Sequence, residues 1–222
     1  MKKIFHLIII GTIFLSYASA NEHVKIIDAT KNIKYLSQKI AKNYLFLYSN
    51  PKLTTLHLEL TNDIKRLETD FRFIAKNSDD SDIKDILDFL SYSKDQIKEI
   101  LNKDISTDSI TQILDYSETL SEGAESILMT YQYDYISDKD IKTNLMEVSK
   151  FYLAQHLGIN PISNTEQLQL KMKIIETKLK GANIDTKSSW EALKNLLDAK
   201  EDYFIPNIIF ILIKNMKDNQ II

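Results

Sequence analysis

The chain has 222 residues, 44% apolar and 27% charged, so it can bury a sizeable core and disorder is not its default. Its 28 lysines and arginines against 31 aspartates and glutamates leave a net charge of −3, which argues against a nucleic-acid partner. Cysteine is absent, so neither disulfides nor thiol chemistry enter the reading.

Residues 1–20 carry the pattern of a secretory signal. Lys2 and Lys3 form a charged start, Ile4 to Leu15 an apolar stretch, and Ala18-Ser19-Ala20 a small-residue cleavage signature before Asn21. The pattern predicts a soluble periplasmic protein cut after Ala20, and losing Lys2 and Lys3 moves the net charge from −3 to −5. The apolar stretch is shorter than the roughly 20 residues of a bilayer span.

Eight helices are expected beyond Asn21. The first, from about Val24 to Tyr48, stops at Ser49-Asn50-Pro51. At about 100° per residue it carries two stripes. Ile33, Leu36, Ile40, Tyr44 and Leu47 form a core edge, while Ile27, Thr30, Lys34, Ser37, Ala41 and Leu45 form a flank of smaller and hydroxyl-bearing residues. The second helix repeats Leu60, Ile64, Leu67, Phe71 and Ile74, an a/d seam for packing lengthwise on near-parallel neighbours. Asp80 or Ser81 caps a third helix through Ile83, Ile86, Leu87, Leu90, Ile97, Ile100 and Leu101. The fourth spans about Thr107 to Tyr135, with Gly123 inside its pattern and Asp115, Glu118, Glu122 and Glu125 on what reads as a solvated face.

A second unit opens at Ser137 or Asp138, with helices at about Lys139 to Leu157, Asn164 to Lys180, Thr186 to Lys200 and Pro206 to Gln220. Sliding the chain by 108 residues keeps ten identities in 41 positions, among them Lys34/Lys142, Lys42/Lys150, Tyr44/Tyr152 and Glu68/Glu176. About three would arise by chance, so the chain reads as a duplication. The predicted fold is all-α: two tandem up-down antiparallel four-helix bundles, over residues 21–136 and 137–222. The fourth and fifth helices run on through Asp134 to Asp140 or break there; the pattern leaves both open.

The chemistry suggested by this pattern sits on the flank of the first helix. A cation between helices, with the hydroxyls of Thr30 and Ser37 nearby, suits a small oxoanion or carboxylate, and Lys142 is the second cation expected to face Lys34. The plainer alternative is that both lysines run out to water and bind nothing. His6, His23, His57 and His156 show no metal-ligand spacing, and no nucleophile elbow or phosphate loop is present. Neither an enzyme nor a cofactor is therefore expected.

The first helix, IIDATKNIKYLSQKIAKNYL, resembles the P-box helix of the periplasmic sensor domain of NarX-type nitrate/nitrite sensor kinases. It is equally similar to the N-terminal domain of PilJ-type type IV pili methyl-accepting chemotaxis transducers. That helix reads I-N-x-A-G-x-x-R-M-L-S-Q-R-I-A-K, matched here by Ile27, Leu36, Ser37, Gln38, Ile40, Ala41 and Lys42. Tyr203 to Phe210 is similar to the F-F-P-S-hydrophobic run before that family's last helix. The resemblance implies a sensor-like protein that binds nitrate, nitrite or a carboxylate between such helices, with Lys34 and, through the repeat, Lys142 standing where the family has an anion-gripping arginine. The two bundles would mimic the family's dimer within one chain, or the chain would form a homodimer. The implied partners are the anion and a membrane sensor or chemotaxis protein. Asp28, Thr30 and Lys31 replace the family's Asn and Ala-Gly, and Asn144-Leu145-Met146 replace Leu-Ser-Gln in the second copy. A structural or protein-interaction module that has lost the ligand is the alternative.

Overall fold

The computed structural model describes residues 2–131, 141–198 and 205–218, with side chains from residue 22 onward except at positions 161, 217 and 218. Every regular element among these residues is helical, as the sequence predicts. They are α1 (Lys2–Ser49), α2 (Thr54–Asn77), α3 (Ser81–Ile100), α4 (Thr107–Tyr131), α5 (Ile141–His156), α6 (Pro161–Lys178), α7 (Ile184–Asp198) and α8 (Pro206–Asp218). A 3-10 turn, Leu179–Gly181, follows α6. No helix of the described residues is long and apolar enough to cross a membrane.

The boundaries follow local chemistry. α1 reaches back to Lys2 because no proline interrupts the chain before Pro51. Asp80 caps α3, its carboxylate accepting from the backbone N–H of Asp82 and Ile83 at 2.9 and 3.2 Å. α6 starts three residues before the expected Asn164, because Pro161 is tolerated in a first turn. α5 ends where Gly158 takes a left-handed φ of 71°, a conformation that costs glycine nothing. The expected end of α4 at Tyr135, its continuity with α5 and the boundary at 136/137 lie outside the described residues.

The seams pack as their spacing dictates. Leu60, Ile64, Leu67, Phe71 and Ile74 of α2 are buried, and so are Leu168, Met172, Ile175 and Leu179 at the corresponding places after α5. Each wholly buried leucine or isoleucine contributes on the order of 2 kcal/mol. α1 packs on α2 and α4, and α3 packs on both of those, which closes a four-helix set. On the other side α5 packs on α6 and α8, and α7 on α8. Gly123 has a packing reason: a Cβ there would stand 2.5 to 2.8 Å from the side chain of Leu90, so the bare backbone of α4 lets α3 come close.

The two halves share one hydrophobic core. α1 and α5 lie along each other, and the buried cluster runs without a break from Ile26 to Met216. α5 is enclosed on every side, with all residues from Thr143 to Ala154 buried. A helix enclosed in this way is normally apolar all round. Here the run includes Asn144, Glu147, Ser149 and Lys150, and buried charges need partners. Those partners define the polar interior of the molecule.

Candidate functional site

On α1 the flank residues Thr30, Lys34, Ser37 and Ala41 are all buried, and Lys34, at 5% exposure, does not run out to water. Their donors are already engaged. The Lys34 ammonium donates to Glu125 of α4 at 3.0 Å. Thr30 donates its hydroxyl to the Ile26 carbonyl at 2.8 Å, and Ser37 to the Lys34 carbonyl at 2.7 Å, both within α1 itself. Lys142 is exposed near the start of α5 and does not line the cavity that borders Lys34. The four expected site residues are therefore not brought together.

Glu118 and Glu125 leave the expected solvated face of α4 and turn into the seam. The buried Lys150 donates to Glu118 at 2.8 Å, and Gln38 of α1 donates to the same oxygen at 3.4 Å. Lys150 also lies 4.3 Å from the centre of the Phe151 ring, a cation–π contact. Lys171 of α6 pairs with Glu147 of α5 at 2.8 Å. Burial pushes the Glu118 carboxyl up, but the Lys150 charge and hydrogen bond, with Gln38 and Lys171 beyond, outweigh it and hold the pKa below the ordinary value. Along α4 the contacts step from Glu125 with Lys34 to Glu118 with Gln38, so α1 runs against α4, and Lys150 of α5 meets Glu118 at the same level as Gln38.

A cavity of about 180 Å³ opens beside Lys34. Two lysines, Lys34 and Lys171, face four carboxylates there, Glu118, Glu122, Glu125 and Glu147. An anion entering it meets more negative charge than positive.

A larger cavity, about 430 Å³, lies between α1, α2, α5 and α8. Its apolar wall is built from Phe46, Leu56, Met146, Phe210 and Ile213, with Phe46 and Phe210 edge to face at 4.9 Å between centroids. Among the described residues, Lys39, Lys42 and Lys214 line it together with the carboxylate of Glu59. Lys39 is held by Glu59 at 2.8 Å and by Asp63 at 2.9 Å. Burial lowers the Lys39 pKa, but these two carboxylates more than reverse the effect and leave it raised. Asp63, 2% exposed, goes the other way from Glu59: burial dominates and raises its pKa despite Lys39. Lys42 stands 4.4 Å from the centre of the Phe210 ring.

Asn43 completes this wall. It is wholly buried, and neither its amide nitrogen nor its oxygen makes a hydrogen bond. The amide faces the Glu59 carboxylate and, after Lys39 and Lys42, helps hold its pKa below the ordinary value despite burial. The sequence pattern points elsewhere on α1, to the Lys34 edge. The one signal for this end is the survival of Lys42 as Lys150 in the repeat.

Residues related by the 108-residue offset hold matching posts. Glu68 of α2 accepts from Lys98 of α3, and Glu176 of α6 accepts from Lys194 of α7. Thr69 and Thr177 each bond the carbonyl four residues back, at Lys65 and Lys173. Comparison with known protein families, curated proteins and solved structures finds no match to this chain.

Proposed function

We propose that the protein is a soluble, exported, sensor-like binding module that holds a small anion between its two related helices and has no output of its own. The observation that carries this reading is the cavity bounded by both α1 and α5, whose lining among the described residues includes Lys42 and Lys214 beside Lys39, which Glu59 and Asp63 hold. It supports the carboxylate or oxoanion class inferred from the first helix, but at the Lys42 end of α1 instead of the Lys34 end. A duplicated chain supplies both walls from one polypeptide, as the pseudo-dimer reading requires, and a membrane sensor or chemotaxis protein would read the loaded form. Export rests on Lys2, Lys3, the apolar stretch to Leu15 and Ala18-Ser19-Ala20.

Calorimetric titration with nitrate, nitrite and acetate tests the reading, run beside a Lys42→Ala, Lys214→Ala double variant. Heat with at least one anion, lost in the double variant, is the expected result; a blank with all of them sinks it. N-terminal sequencing of protein from the periplasmic fraction should begin at Asn21, and recovery only from the cytoplasm counts against export.

One observation favours a second reading, a structural or protein-interaction module. Lys34, the residue in the place of the family's arginine, is paired with Glu125, and three ion pairs link α1, α4, α5 and α6. In that case the lysines are staples, the titration is blank, and Lys34→Ala costs stability alone.

A further inference from the structure

We propose that the cavity between α1, α2, α5 and α8 takes a monocarboxylate with an apolar body, a short aliphatic or aromatic acid, in preference to a bare oxoanion. The inference rests on the anion-binding reading above and names the class of anion.

The cavity has two chemically distinct parts. Phe46, Leu56, Met146, Phe210 and Ile213 offer a surface that an oxoanion such as nitrate cannot use, because nitrate has no apolar atoms to bury. At about 430 Å³ the space falls within the roughly 300–1,000 Å³ of small-molecule sites, and nitrate would leave most of it to water. Lys42 marks where the parts meet. Its ammonium sits 4.4 Å from the Phe210 ring centre, so a ligand body lying on Phe210 ends its carboxylate beside that charge. Lys214 adds a second, exposed cation to the same lining.

Asn43 fixes Glu59 at the cavity wall. Its amide is shut away from the cavity and faces the Glu59 carboxylate, which it helps hold below the ordinary pKa. Glu59 limits the charge of the ligand. Its carboxylate shares the lining, so a second carboxylate on the ligand would meet a like charge. Lys39, already held by Glu59 and Asp63, does not offset this.

Calorimetry at fixed ionic strength with nitrate, acetate, butyrate, hexanoate, benzoate, succinate and neutral hexanamide separates the possibilities. Affinity should rise about fourfold for each buried methylene from acetate to hexanoate. Hexanamide and succinate should bind at least tenfold more weakly than hexanoate. Phe210→Ala should flatten the chain-length series while acetate binding persists, and Lys214→Ala, at an exposed site, should weaken every carboxylate without unfolding the protein. Nitrate and acetate binding as tightly as hexanoate and benzoate would overturn this inference and leave the anion-binding reading standing. Hexanamide matching hexanoate would overturn it too, and heat with no anion at all overturns both.

Discussion

Lys42 and Lys150, 108 residues apart, reach in opposite senses across the seam between α1 and α5: Lys42 lies over Phe210 of α8, and Lys150 grips Glu118 of α4. Each related helix thus sends its lysine to a helix from the other half of the chain. The residue expected to mark that seam, Lys34, is paired within its own set instead, with Glu125 of α4. The seam is therefore symmetric in its reach and asymmetric in its chemistry, with a carboxylate under Lys150 and an aromatic ring under Lys42.

Glu118 should be the most pH-sensitive staple of that seam. Glu118→Gln leaves the Lys150 ammonium, 2% exposed, without its anion, and a loss of about 1–3 kcal/mol is expected near pH 7, discounted because Glu118 itself is only half-buried. The sign comes from the lowered pKa. Stability from a carboxylate held below its ordinary value is complete above that value and fades as pH falls through the lowered one. Urea melts of the two proteins should differ near neutrality and converge towards about pH 3.

Asp63 should behave in the opposite way. Its pKa is raised by burial, so folding favours the protonated form, and its contribution is present at low pH and lost as pH rises through the raised value. Asp63→Asn keeps the shape without the charge, and Lys39 retains Glu59. The variant should lie within about 1 kcal/mol of the parent and gain on it as pH rises from about 4 to 7. A loss that deepens with rising pH would show that the Lys39 pair outweighs the burial of Asp63.

These two carboxylates also show what the sequence carried and what it did not. Periodicity located the seams of α2 and α6, the capping signal at Asp80 or Ser81 and the shared flank of Thr30, Lys34 and Ser37, because each depends on residues within one or two turns. It missed the partners. Glu118 and Glu125 read as a solvated face because α4 alone cannot reveal that α1 lies against it or that Lys150 of α5 reaches it. The full enclosure of α5 was hidden for the same reason, since its neighbours come from both halves of the chain. Lys142 was expected beside Lys34, but it lies in the first turn of α5 among the described residues, whereas Lys34 sits deep within the long α1. Equal positions in a repeat do not guarantee equal surroundings when one helix extends further than its copy.

Gly123 offers a sharp test of close helix approach. In an exposed helix, glycine to alanine would gain about 1 kcal/mol from propensity. Here the new methyl meets Leu90, itself wholly buried, so Gly123→Ala should instead lose up to about 2 kcal/mol through overpacking. In a Leu90→Ala background the clash is gone and the same substitution should become stabilising by about 1 kcal/mol. A double-mutant cycle from thermal melts reads the sign change, and the same sign in both backgrounds would place the strain elsewhere.

Tyr44 and Tyr152 are copies of one another with unequal work to do. The Tyr152 hydroxyl accepts the backbone N–H of Ile205 at 3.1 Å, just before Pro206 opens α8, so it fastens the entry of the last helix. The Tyr44 hydroxyl, equally buried, lies near Ser109 at the start of α4 but makes no hydrogen bond of normal length. Burial raises both phenol pKa values, and the bond to Ile205 draws Tyr152 part of the way back. Tyr152→Phe strands a partly buried N–H and should cost about 1–2 kcal/mol. Tyr44→Phe removes a hydroxyl that was desolvated without return, and should be neutral within about 0.5 kcal/mol or slightly stabilising. Hydrogen exchange at the Ile205 amide should speed up in Tyr152→Phe and stay unchanged in Tyr44→Phe. Equal losses from the two substitutions would mean that the first copy also uses its hydroxyl to hold α4, which would restore the symmetry that the lysines break.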